Sequence, residues 1–289
     1  MYAQRQCIRG IRRIAASTHF GRTALMAGQK KKAAPAEAGP EAGSDTASDA
    51  GGEPRVSLWE RLENPSPAPR TVLTPARIAE VAVGIADAEG IDAVTMRRLA
   101  TELGVAPMAA YRYVSGKDDL LELMVDRVYG ELPAPETGAG WRATLRTLAT
   151  NTRDIVLRHP WLVLLPSARA AISLTPNRLA VVEWGMAALA ELDLPPDELM
   201  VAVDTVGAFV QGRTASEVAT RRLMEVRGAA DGHALRTQLA PEMTYLMNTG
   251  RYPTFHAYLG AARRKDDPRW QFETALDCIL DGLATRLGI

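Results

Sequence analysis

From Thr71 onward the apolar positions recur at helical spacing. Ile78, Val81, Ala82 and Ile85 fall on one face of a helix. Thr74 ahead of Pro75 reads as an N-cap with proline in the first turn, and Gly90 stops the helix. Thr95 can cap a second helix over Met96–Leu103, which ends at Gly104. The turn Gly104-Val105-Ala106 leads to a short third helix, Pro107–Val114, broken at Ser115-Gly116. Asp118 and Asp119 then sit in the first turn of a fourth, where carboxylates complement the helix dipole. It runs on through Leu120, Leu121, Met124, Val125 and Val128.

The second half continues in helices. Trp141–His159 carries Leu145, Leu148, Thr152, Ile155 and Val156 on one side. An apolar segment follows, Trp161–Leu165, and Thr175-Pro176 caps a helix reaching about Leu192. Asp193 to Pro196 separates it from a long helix, Asp197 to about Val226. Shorter helices are expected over Pro241–Thr249 and Pro253–Ala262. The last starts after Asp267-Pro268 and carries Phe272, Leu276, Ile279, Leu280, Leu283 and Leu287. The pattern predicts an all-α chain: a three-helix N-terminal head over residues 71–130 and a helical body over 138–289.

Two short helices joined by a tight turn, with one helix before them, follow the helix-turn-helix plan. Leu99, Ala100, Leu103 and Val105 are expected inside, with the outer face of the second short helix left for a major groove. Charge qualifies that picture. Residues 74–130 hold six cations and nine acids, a net of −3, yet the stretch between Asp92 and Asp118 holds four cations (Arg97, Arg98, Arg112, Lys117) and only one acid. The cations gather on the face that would meet DNA.

Composition separates off residues 1–70. Met1–Ala36 carries eight cations and no acid, and Ala33–Arg70 holds six prolines and four glycines. Such a stretch buries too little apolar surface to offset its ordering entropy, so it is expected to be a disordered extension. The island Val56–Leu62 is the exception, with the means to dock on the body. The basic opening has three readings: an organelle-type transit sequence, a basic arm for DNA phosphates, or a start of translation at Met26 that leaves the first 25 residues unmade. Two distant cysteines, Cys7 and Cys278, argue against a cysteine zinc site or structural disulfide and fit a reducing cytoplasm. The longest apolar runs are five residues, such as Leu199–Val203, far from the roughly 18 of a membrane span.

The run Gly90–Ala100, then Leu103-Gly104-Val105, Ala110–Val114 and Lys117–Leu121 strongly resembles the DNA-binding region of the tetracycline-repressor (TetR) family of bacterial regulators, over Leu73–Tyr129. The resemblance implies that Thr95 and Arg97 touch backbone or base. It implies that Pro107, Met108, Ala109 and Arg112 face bases, and that Tyr111, Tyr113 and Lys117 clamp phosphates. Met108 and Ala109 stand where polar residues are common. They can meet a thymine methyl but not hydrogen-bond a base edge, which leaves more of the reading to Arg112 and DNA shape.

Val206–Gly212 and Phe272–Leu287 are similar to two helices of the tetracycline repressor's own branch. There they pair with their copies across a two-fold axis as a four-helix bundle. Gly207, Ala208 and Gly212 would permit that approach, or simply close packing within the chain. The branch's drug–magnesium chelate is not expected, because Ser216 stands where its glutamate would and no histidine lies between Trp161 and Pro176. A ligand pocket is instead expected around Trp184, Met186, Met200, Asp204 and Phe209, although Met and Trp are also ordinary core residues. Asp204, in an otherwise apolar helix, is expected buried and in need of a partner.

No phosphate loop, dinucleotide fingerprint, nucleophile elbow or HExxH is present, and the four histidines lack metal-ligand spacing. No enzyme, metal or cofactor is therefore expected. The reading is a cytoplasmic, homodimeric, ligand-responsive transcriptional regulator, a repressor bound to a palindromic operator and released by a small apolar effector. The alternative is a helical small-molecule-binding protein or enzyme that has lost DNA binding, favoured only by the net negative head and the Met108-Ala109 pair.

Overall fold

A computed structural model describes residues 57–63, 73–165 and 174–289. Residues 1–56 and 64–72 lie outside the described residues, and with them most of the expected disordered extension. The island does dock: α1 (Leu58–Glu63) is helical, and Leu58 is buried in the core of the head.

The head is α2 (Pro75–Glu89), a 3-10 turn at Ile91–Ala93, α3 (Met96–Leu103), α4 (Pro107–Ala110) and α5 (Lys117–Tyr129). Thr74 caps α2 and Thr95 caps α3, each accepting a backbone N–H three residues on. Gly104 adopts φ +66°, the left-handed turn that releases the chain from α3 toward α4 and that suits glycine. Leu99, Ala100, Ala110 and Val114 are fully buried, with Leu103 and Val105 packed beside them. The third helix is shorter than the sequence suggests: regular hydrogen bonding stops at Ala110, and residues 111–113 continue as turn. A helix of one turn has little cooperativity to hold its last residues.

The body comprises α6 (Trp141–Arg158), a 3-10 segment at Pro160–Leu164, α7 (Pro176–Ala190), α8 (Pro196–Arg227), α9 (Gly232–Asn248), α10 (Pro253–Ala261) and α11 (Pro268–Leu287). The long α8, about 48 Å at 1.5 Å per residue, packs against α6, α7 and α11. Val206 and Val210 of α8 meet Phe272, Leu276 and Leu280 of α11 in a second core. Within it the Phe209 and Phe272 rings lie 5.2 Å apart. Arg153 of α6 and Glu217 of α8 form a buried bidentate pair, its shortest bond 2.8 Å.

The helix start expected at Pro241 is corrected: α9 runs from Gly232 to Asn248 with Pro241 inside it. Asp231 supplies the cap, accepting the Ala234 N–H at 2.7 Å. The carbonyl that Pro241 leaves unpaired is that of Thr237, which is exposed, so water can satisfy it.

Candidate functional site

Most of the sequence-derived residues of the head are exposed. Met108 is 74% exposed and Tyr111 44% exposed, with Pro107 and Arg112 also on the surface. Ala109 and Tyr113 are half-buried and pack partly against the core, so each offers only an edge outward. The Thr95 hydroxyl accepts the Arg98 N–H at 3.1 Å and keeps its own hydrogen to donate. Arg97 and Lys117, the latter at the first residue of α5, are exposed.

The four cations of this stretch are not equivalent. Arg98 is held by Glu89 at 2.7 Å and Glu102 at 2.6 Å, an arrangement that raises its pKa and spends its charge within the protein. Arg97, Arg112 and Lys117 make no ion pair among the described residues. Glu89 and Glu102 are thus compensated within the head, at the cost of one of the four cations.

At the start of α5 the Asp119 carboxylate accepts the Ser115 N–H at 2.7 Å and its hydroxyl at 2.6 Å, and pairs with Arg61 of α1 at 2.5 Å. Partial burial alone would raise its pKa, but these hydrogen bonds and the guanidinium hold it below the ordinary carboxylate range.

Among the described residues, side-chain bonds join head to body at Asp87 and at Asp126. Asp87 of α2 faces His159 Nδ1 at 2.8 Å and accepts the Trp161 indole N–H at 2.9 Å. Asp126 of α5 accepts the Asn177 backbone N–H at 2.8 Å, and its Oδ2 and carbonyl oxygen accept the Asn177 side-chain amide at 2.9 Å and 3.0 Å. Next to that second joint lies a cavity of about 540 Å³, within the usual range for a drug-sized ligand. Its walls include residues of α5 (Val125, Tyr129), α6 (Leu145, Leu148, Thr152, Val156), the 3-10 segment after it (Leu162, Val163), α7 (Arg178, Val181, Val182) and α8 (Val203, Asp204, Gln211). Gly185 lets α7 and α8 close beside it, since a Cβ there would meet Val203 at 3.2 Å.

Of the pocket residues expected from sequence, only Asp204 lines this cavity. It is exposed rather than buried, so water can solvate it and no buried partner is required. Trp184 packs against the core of the head, and Phe209 lies tilted against Phe272. Met186 is half-buried, Met200 is exposed, and neither lines the cavity. Sequence reasoning missed Tyr129, Thr152, Arg178 and Gln211. Arg178 carried a signal: it is a lone cation before the apolar run Leu179–Val182. Gly207 and Gly212 are exposed, and a Cβ at either would meet nothing within 4 Å, so close packing within the chain does not account for them.

Residues 132–287 match the family described as "Tetracyclin repressor-like, C-terminal domain", and residues 78–124 match "Bacterial regulatory proteins, tetR family". The chain is 33% identical over 261 residues to the HTH-type transcriptional repressor DrrR1 of Streptomyces coeruleorubidus, covering 84% of this chain and 95% of that one. It is 31% identical over 237 residues to an HTH-type transcriptional regulator of Saccharopolyspora erythraea, covering 81% and 93%. Among solved structures it is similar to the Streptomyces coelicolor TetR family protein ActR in complex with actinorhodin. There the TM-score is 0.60 at 27% identity, covering 75% of this chain and 98% of that one.

Proposed function

The chain belongs to the TetR family of bacterial regulatory proteins and is a DNA-binding transcriptional regulator, and on that premise we propose that it represses as a two-fold homodimer released by a small ligand. The observation that carries this reading is the exposed face of α4 and the turn after it, flanked by Arg97, Arg112 and Lys117, whose charges no protein carboxylate takes up among the described residues. Residues 71–130 act as the reading head and 138–289 as the body that dimerises and holds the ligand. Arg112 reads a base edge, Met108 meets a thymine methyl, and Thr95, Arg97, Tyr111, Tyr113 and Lys117 contact the backbone, with Pro107 and Ala109 shaping the approach. The exposed glycines of α8 support pairing of α8 and α11 with their copies. The two heads then address half-sites about 34–36 Å apart or a multiple of that.

The cavity supports a ligand-responsive regulator, as does ActR, whose structure holds actinorhodin. A ligand releases DNA only by favouring a head spacing that no longer fits the operator. The sequence carries no catalytic motif, which favours a binding protein over an enzyme, and no helix among the described residues is long and apolar enough to cross a membrane. We place the protein in the cytoplasm, where its DNA is.

The test is fluorescence anisotropy of the full-length protein on fragments flanking its own gene, across a salt series. Site-selective binding that survives excess competitor DNA is the expected result, with a salt slope that counts phosphate contacts. Weak binding, equal for every fragment and lost near physiological salt, overturns the reading in favour of a helical ligand-binding protein.

A further inference from the structure

Among the described residues the cavity walls carry two charges, and neither waits there as a buried counter-charge. Asp204 of α8 is exposed, so water screens it. The Arg178 guanidinium of α7 lies 5.8 Å from the centre of the Tyr129 ring, and Arg178 is engaged further within the chain. A charged ligand entering the cavity would give up its hydration without meeting a partner that repays it.

Three uncharged polar side chains line the same space from three helices: Tyr129 of α5, Thr152 of α6 and Gln211 of α8. None of them makes a side-chain hydrogen bond among the described residues. Other hydroxyls of the body behave differently. Thr205, Thr214, Ser216 and Thr220 of α8 donate to the carbonyl four residues back, at 2.7, 2.6, 3.0 and 2.9 Å. Thr152 makes no such bond, which leaves its hydroxyl for the cavity it lines. Burial pushes the Tyr129 phenol pKa up against the opposing pull of Arg178, so the group stays protonated at neutral pH and can donate.

Much of the remaining wall is aliphatic, from Leu145, Leu148, Val156 and Val181 among others, and demands an apolar skeleton. A ligand that fills the cavity excludes water, and any polar group it fails to match is then left unpaired. A site lined in this way selects molecules that return those hydrogen bonds and rejects analogues that lack them.

From this juxtaposition we infer that the effector is an uncharged molecule with an apolar skeleton and carbonyl or hydroxyl oxygens on more than one edge, one carbonyl accepting from the Tyr129 phenol. This rests on the regulator reading above and deepens it by naming the class of ligand. Thr152 and Gln211 meet oxygens on the edges that face α6 and α8.

Three probes of shared skeleton test it: 2-acetylnaphthalene, a neutral ketone, 2-ethylnaphthalene, its hydrocarbon counterpart, and 2-naphthoate, its anionic one. Each is measured by equilibrium dialysis against the full-length wild type and against Tyr129→Phe, which removes only the hydroxyl. The ketone is expected to bind about fivefold more weakly to the variant, the worth of one neutral hydrogen bond. The hydrocarbon is expected to stay within about twofold, which shows that the cavity keeps its shape. Each probe is compared between the two proteins, because ketone and hydrocarbon also differ in what they gain on leaving water. 2-Naphthoate is expected to bind the wild type more weakly than the ketone does. A ketone indifferent to Tyr129→Phe, an equal loss for ketone and hydrocarbon, or no saturable binding of either overturns the carbonyl seat. Tighter binding of 2-naphthoate than of the ketone overturns the uncharged class. Failure of the wild type to bind any operator fragment selectively counts against the regulator reading alone, and the dialysis still decides the class of ligand.

Discussion

The Asp87 carboxylate on α2 serves two residues from the far side of the α6 turn, His159 Nδ1 at 2.8 Å and the Trp161 indole N–H at 2.9 Å. Trp161 is 1% exposed and His159 8% exposed. Their polar atoms therefore have little water to fall back on; Asp87 meets both residues, and Glu131 faces the other ring nitrogen of His159 at 3.4 Å. Asp87→Ala should cost about 2–4 kcal/mol, the penalty for stranding buried donors plus a lost hydrogen bond. Urea unfolding at fixed protein concentration measures it, and Asp87→Asn should lose less because the amide oxygen still accepts one donor. A loss below about 0.5 kcal/mol, the range of ordinary surface changes, would show that the joint is not closed in solution.

A second buried contact holds the body. Arg153 and Glu217 have side chains only 9% and 5% exposed, and Arg153 also lies 5.2 Å from the centre of the Phe272 ring. Removing one partner leaves a charge in a site that cannot solvate it. Glu217→Leu should destabilise by about 3–5 kcal/mol, while Arg153→Met with Glu217→Leu should recover most of that. The comparison is made by urea unfolding of the single and double variants. A double variant as unstable as the single one would mean that the ion pair contributes net stability rather than merely requiring both members.

Local signals made much of the head legible. Thr74, Thr95, Gly90 and Gly104 act within four residues, so caps and stops could be read from the chain, as could Leu99 and Ala100 in the core. Arg97 and Arg98 are adjacent and identical in type, yet one is exposed without an ion pair while Glu89 and Glu102 occupy the other. That difference depends on α2 ending beside α3, which no single stretch encodes. The cavity was least legible for the same reason: its walls come from four helices and the 3-10 segment after α6, spread between Val125 and Ala215. Trp184 and Phe209 have the residue types of a pocket and the positions of a core. Pro241 misled because a local rule, that proline opens a helix, is relaxed on an exposed helix.

Asp119 ties α1 to the start of α5, and its pKa direction fixes the pH dependence. The folded value lies below the ordinary one near 3.9. Its contribution is therefore fully present above the unfolded pKa and is lost as pH falls through the folded value. Asp119→Ala should cost about 1–2 kcal/mol at neutral pH through the lost Ser115 and Arg61 contacts, discounted for the partly exposed arginine. Urea midpoints of the two proteins should converge as pH falls below about 4. A gap that persists undiminished under acid would assign the loss to packing rather than to the charged carboxylate.

The unequal cations of the reading face give the sharpest expectation for DNA. Arg97 has no carboxylate partner among the described residues, so a phosphate can take its full charge and release a counterion. Arg97→Ala should lower the slope of log affinity against log salt by about two units per dimer, one from each half-site, uniformly across sequences. Arg98 is already neutralised by Glu89 and Glu102, and it links the end of α2 to α3. Arg98→Ala should leave the slope nearly unchanged and appear instead as a lower urea midpoint. Arg112→Ala should lose about 1–3 kcal/mol and blur discrimination at one base pair of each half-site. Anisotropy titrations of the three variants on one operator and its single-base changes separate these outcomes. If Arg98→Ala reduces the salt slope as much as Arg97→Ala does, its two glutamates must release it on binding, and the neutralisation seen in the free protein does not survive contact with DNA.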